Sequence, residues 1–94
     1  MDELYLYTRA GCHLCDETRW TLVQFLGQRR VAGLPTPTLV ERDIDTDESW
    51  QRAFMTTIPV VEVGGQRLEL ATSPAKIALH LAKVLDGPAA AARG

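Results

Sequence analysis

Cysteine is scarce in this chain: Cys12 and Cys15 are the only two among 94 residues. Two cysteines cannot build a disulfide framework, and the loop between them is too short to constrain much of the unfolded chain. Histidine is equally scarce, with His13 and His80 alone. A four-ligand zinc site would need both histidines and both cysteines, and their spacing does not suit one, so no metal ligand is expected. Excess positive charge is missing too, since the formal net charge is −2. With no basic surface to neutralise phosphates, nucleic acid is not an expected partner. No apolar run approaches the ~20 residues that span a bilayer, which argues against a membrane partner.

What is present is a globular composition, 46% hydrophobic and 23% charged. A single domain over residues 1–87 is expected, with residues 88–94, mostly alanine, as a flexible tail. The opening "MDELYLYT" carries acids rather than a basic leader and reads as a strand. A cytoplasmic, monomeric protein is expected. Permanent disulfides are rare in that compartment, which turns attention to redox or metal chemistry at the cysteine pair.

The pattern along the chain is well punctuated. Residues 3–8 alternate Leu4 and Leu6 with Tyr5 and Tyr7, a strand with two different faces. From His13 to about Arg30 the period becomes helical. Leu14, Thr18, Leu22 and Phe25 are expected on one face, with Cys15, Leu22 and Leu26 along the same side. Asp16 and Glu17 suit the helix start, and Arg29 and Arg30 its end. "VAGLPTP" stops it. A second strand is centred on residues 38–42. A short helix over about 48–55 follows, with Trp50, Ala53 and Phe54 on one side. "VVEV", "GG" and "QRLEL" read as strand, tight turn and strand. In the last helix Ser73 can cap, Pro74 fits the first position, and Gly87 with Pro88 can end it. His80 shares a polar stripe with Lys76 and Lys83, a solvated position. The order β-α-β-α-β-β-α implies a right-handed parallel β-α-β unit and an antiparallel hairpin in one mixed four-stranded sheet.

Position decides what the cysteines can do. Cys12 sits in the turn that opens the first helix and Cys15 lies in its first turn. This spacing can bring the sulfurs into disulfide range. Free N–H groups and the positive dipole end favour a thiolate at Cys12. Cys15, on the Leu22 stripe, should point inward, so Cys12 attacks and Cys15 resolves. Asp16 and Glu17 place negative charge near that thiolate and raise its pKa, while a protonated His13 would lower it. A mild nucleophile and a reducing couple are expected, with Cys12 titrating above about pH 5. Pro59 starts a strand, where its missing N–H is tolerated. Sequence does not decide its isomer.

These residues resemble the glutaredoxin branch of the thioredoxin superfamily over roughly residues 3–86. The resemblance rests on "LYTRAGCHLC", "ERDIDTDESWQRAF" and "TTIPVVEVGGQRL". "GCHLCDE" with "DIDTDE" is similar to small bacterial glutaredoxin-like proteins. It implies a thioredoxin-like α/β fold, Cys12 as nucleophile, Cys15 as resolving thiol and Pro59 in the cis-proline position. Ile58 would pair its backbone with an extended substrate such as glutathione. Arg9 falls where the family commonly carries a lysine near the glutathione carboxylate. Some family features are replaced. His13-Leu14 stands for the usual Pro-Tyr, and the flanking aromatic is absent. "LATSPAKI" replaces the Gly-Gly-acidic segment that receives the γ-glutamyl end. Thr72 and Ser73 can offer N–H and hydroxyl groups to a carboxylate there, although capping is the simpler role.

A dithiol oxidoreductase is therefore the expected function, reducing protein or glutathione mixed disulfides. No bound cofactor is expected, glutathione is a candidate co-substrate, and an NADPH-linked reductase system is the expected electron source. Two other functions fit the family: a metal or iron–sulfur carrier in which two chains share a cluster through Cys12, and a non-catalytic binding module.

Overall fold

A computed structural model of the chain describes residues 3–87. The expected tail, residues 88–94, lies outside them. The elements are β1 (Glu3–Thr8), α1 (His13–Val31), β2 (Thr38–Asp43), a 3-10 turn (Ile44–Thr46), α2 (Glu48–Phe54), β3 (Val60–Val63), β4 (Gln66–Leu68) and α3 (Pro74–Leu85). The sheet order is β2-β1-β3-β4. β1 pairs with β2 in parallel, as a helical crossover requires, and the other pairs are antiparallel.

Strand alternation splits the core in two. Leu4, Leu6, Val61 and Val63 point to one face, where Leu22 and Leu26 of α1 and Ile77 and Leu81 of α3 cover them. Each such side chain contributes about 1.5–3 kcal/mol when fully buried. Tyr7 and Val60 point to the other face, closed by Ile44 and Phe54. That second face also carries a polar ladder across the strands. Arg42 donates to the Tyr7 hydroxyl at 2.8 Å, Tyr7 donates to Glu62 at 3.0 Å, and Arg67 donates to Glu62 at 2.8 Å. The Arg42 guanidinium lies 3.6 Å over the Tyr5 ring, so it is stacked as well as bonded. Burial raises the Tyr7 pKa.

Caps fix the helix boundaries. Asp47 accepts from the Ser49 and Trp50 N–H groups and starts α2. Ser73 accepts from the Lys76 N–H and starts α3, with Pro74 as its first residue. The far ends of α1 and α3 are tied together. The Arg29 guanidinium binds both oxygens of Asp86 at 2.7 and 2.8 Å and the Pro35 carbonyl at 2.9 Å. Arg29 is thus buried rather than a solvent-facing dipole partner.

Four expectations need correction. Leu14 is exposed, because it lies about 100° around the helix from inward-facing Cys15. Ala53 is exposed for the same reason beside Phe54. β4 stops at Leu68, because Leu70 turns left-handed at φ 48° and the chain bends back. His80 is half-buried with Nε2 3.2 Å from the Gln66 carbonyl oxygen, so it is not simply solvated.

Candidate functional site: a disulfide at the start of α1

The loop after β1 delivers Cys12 to the helix start. Gly11 takes φ 80°, a conformation open to glycine, and the Cys12 N–H closes the turn on the Arg9 carbonyl at 3.1 Å. Cys12 is the residue that caps α1. Its sulfur accepts from the Cys15 N–H at 3.1 Å, the place usually taken by a serine or aspartate oxygen. Cys12 and Cys15 are joined as a disulfide with Cα atoms 5.2 Å apart, inside the usual range. Cys15 is fully buried and Cys12 is half-buried. The two sulfurs are therefore unequal toward any incoming molecule.

Two further segments are bonded to this helix start. The Thr18 hydroxyl, one turn beyond Cys15, donates to the Ala71 carbonyl at 2.6 Å. The Ala71 N–H donates to the Pro59 carbonyl, and the Leu70 N–H to the Thr57 carbonyl, both at 2.8 Å. The loop before α3 is thus stitched to α1 on one side and to the 57–59 segment on the other. Pro59 is buried, and the Ile58–Pro59 bond is cis.

The remaining candidate residues have defined places. The Arg9 guanidinium grips both oxygens of Asp45 at 3.0–3.1 Å, and this bond lowers the Asp45 pKa. His13 faces solvent, 3.9 Å from Glu17. The Ile58 N–H is already donated to the Phe54 carbonyl at 3.1 Å, and its side chain packs on the second core. The Thr72 N–H is donated to the Leu70 carbonyl at 2.7 Å, and the Ser73 hydroxyl is engaged as a cap. Thr72 also lines a shallow groove of about 560 Å³ with Glu17, Trp20 and Pro74.

Electrostatics beside the disulfide differ from the expectation, in which only the helix dipole and a protonated His13 offset Asp16 and Glu17. Arg19 binds Asp16 at 2.8 Å and Glu41 of β2 at 2.6 Å, and both bonds raise its pKa. Sequence reasoning missed Arg19, although its position three residues after Asp16 was a signal. It also missed Thr18 as a link and Leu70 as a turn, since both depend on contacts distant in sequence. Among the described residues, no group of three or more His, Cys, Asp or Glu could hold a metal ion. No helix there is long and apolar enough to cross a membrane.

A parallel β-α-β unit, an antiparallel hairpin, a closing helix and a Cys-x-x-Cys disulfide at the first helix start define a thioredoxin-like fold of the glutaredoxin kind. The family model described as Glutaredoxin-like domain (DUF836) matches residues 3–85, and the chain belongs to that family. Among solved structures, the X-ray structure of the Northeast Structural Genomics target protein XcR50 from X. campestris is similar. It is 28% identical, with a TM-score of 0.62 over 83% of this chain and 93% of that one. No curated protein matches.

Proposed function

We propose that the protein is a dithiol thiol–disulfide oxidoreductase. One observation carries the reading: a Cys12–Cys15 disulfide at a helix start with Cys12 half-buried and Cys15 fully buried. In the reduced protein the Cys12 thiolate attacks a substrate disulfide and forms a mixed disulfide, releasing one substrate thiol. The Cys15 thiolate then attacks the Cys12 sulfur, releases the second thiol and leaves the disulfide described above. Two electrons pass to the substrate, and an NADPH-linked reductase system, directly or through glutathione, returns them. The reading includes a cytoplasmic monomer with no bound cofactor.

The positive end of α1 and its free N–H groups stabilise the Cys12 thiolate. Pro59, beside the thiols in this reading, keeps an N–H away from them. The test is a pair of variants. Cys12→Ser should abolish disulfide reduction, and Cys15→Ser should accumulate the mixed disulfide, seen by mass spectrometry. Full activity in Cys12→Ser would sink the assignment.

A further inference from the structure

Several of the polar groups around the disulfide that a small charged tripeptide would use are engaged within the protein. The Arg9 guanidinium is clamped by Asp45. Arg19 is divided between Asp16 and Glu41. The N–H groups of Ile58 and Thr72 are donated to Phe54 and Leu70, and Ser73 caps α3. Glutathione carries two carboxylates, and its recognition depends on free cations and N–H donors. Recruiting Arg9, Arg19 or the N–H of Ile58 or Thr72 would disturb a bond already made, and the net gain of such an exchange is small.

Apolar surface is arranged in the opposite way. Large exposed apolar side chains come from α1, from the approach to the 57–59 segment and from the loop before α3. Leu14 and Trp20 come from α1, at 48% and 65% exposure. Met55 leads into the 57–59 segment and Leu70 stands in the loop stitched to it, each at 56% exposure. Leu70 is held outward by a left-handed backbone, φ 48°, which is costly for leucine. Trp20 stands about 12 Å along the helix from Cys12, beside the groove it forms with Glu17, Thr72 and Pro74. This spread is wider than a tripeptide's cysteine and its neighbours reach, and it fits a longer chain. Exposed aromatic and aliphatic side chains are the usual anchors of polypeptide contacts.

We propose that the substrate is a disulfide within a polypeptide, presented on a segment with apolar side chains, in preference to a glutathione disulfide. The inference rests on the oxidoreductase reading above. The Cys12 thiolate forms a bond to one sulfur of the polypeptide cystine, and the other sulfur leaves as a thiolate and takes a proton from water. Cys15 then closes on Cys12 and releases the second sulfur. The polypeptide gains two electrons and the protein dithiol loses them, so a single turnover needs no other reactant.

The experiment is single-turnover oxidation of the prereduced, desalted protein. One arm uses a disulfide-bridged peptide with Leu and Phe flanking its cysteines, and the other uses glutathione disulfide at the same concentration. The peptide should react at least tenfold faster. In a Trp20→Gln/Leu70→Asn variant, whose asparagine tolerates the left-handed backbone, that preference should shrink at least fivefold. Circular dichroism checks that the variant folds. Equal or faster reaction with glutathione disulfide overturns the substrate class and leaves the oxidoreductase reading standing. A preference unchanged in the folded variant overturns the docking surface. No oxidation by either compound sinks the oxidoreductase reading, and this inference falls with it.

Discussion

Thr18 of α1 donates its hydroxyl to the carbonyl of Ala71, 53 residues further along the chain, at 2.6 Å. The bond is buried, and Ala71 passes the connection on to Pro59 through its own N–H. The helix that carries the disulfide is thereby locked to the loop that precedes α3. Replacing Thr18 by valine keeps the volume and removes the donor. The Ala71 carbonyl then loses its partner at a cost of about 1–3 kcal/mol. Urea unfolding should show that loss for Thr18→Val and recover most of it in Thr18→Ser. Equal midpoints for valine and wild type would mean the bond contributes nothing.

Arg19 sets the charge beside the nucleophile. It binds Asp16, whose N–H is itself bonded to the Cys12 carbonyl at 3.2 Å. The charged side chains around this start of α1 are Asp16, Glu17 and Arg19 on the helix, with the imidazole of His13 beside them, Arg9 on the loop before it, Glu41 and Asp43 on β2, and Asp45 in the 3-10 turn. Arg19→Gln removes a cation and leaves Asp16 and Glu41 unopposed. A thiolate near them is then disfavoured, so the Cys12 pKa should rise. The expected size is about half a pH unit, because exposed unit charges a few Å apart interact by about 1 kcal/mol or less. Thiolate absorbance of the reduced protein against pH reads this directly, and Arg19→Lys should restore part of it. A fall in pKa would contradict the assignment.

Much of the fold was legible in local pattern. Period-two alternation in "ELYLYT" placed Leu4 and Leu6 against Tyr5 and Tyr7 on two faces, and both faces are used. Ser73, Pro74 and the Gly64-Gly65 turn were readable because each acts on its own neighbours. The positions of Cys12 and Cys15 at the α1 start were readable for the same reason. Arg29 was not, since its burial depends on Asp86, 57 residues away. Tyr7, Arg42, Glu62 and Arg67 form a ladder only once the strand register is known. Leu14 and Ala53 were misplaced because a one-residue change in helix phase turns a side chain by about 100°.

The Arg29–Asp86 pair predicts a pH dependence. The bond from Arg29 holds the Asp86 carboxyl below its usual value. The folded state therefore binds that proton less tightly than the unfolded chain. The pair's contribution is complete above the ordinary carboxylate pKa near ~4 and is lost as pH falls through the depressed folded value. Asp86→Asn leaves the buried Arg29 without its counter-charge. Because Asp86 is partly solvent-exposed, the expected cost at ~pH 7 is about 1–2 kcal/mol. The gap to wild type should narrow in urea titrations repeated at about pH 3, below the ordinary carboxylate pKa, where the unfolded chain already holds the proton. A gap that stays constant with pH would show that the charge is irrelevant.

The β3–β4 turn gives a steric prediction. Gly64 and Gly65 have φ of 58° and 76°, the two positive values that a tight right-twisting hairpin requires. They are not equivalent. A Cβ on Gly64 would come within 2.6 Å of the Val84 side chain of α3, whereas one on Gly65 meets nothing within 4 Å. Both alanine variants incur the left-handed backbone cost of roughly 1 kcal/mol. Gly64→Ala alone must also push against α3, and overpacking of this kind adds about 1–3 kcal/mol. Thermal unfolding should therefore rank wild type above Gly65→Ala and Gly65→Ala above Gly64→Ala. Trimming the opposing side chain in Gly64→Ala/Val84→Ala should recover part of the difference. If the two glycine variants lose the same stability, the contact between the hairpin turn and α3 is not the close one described.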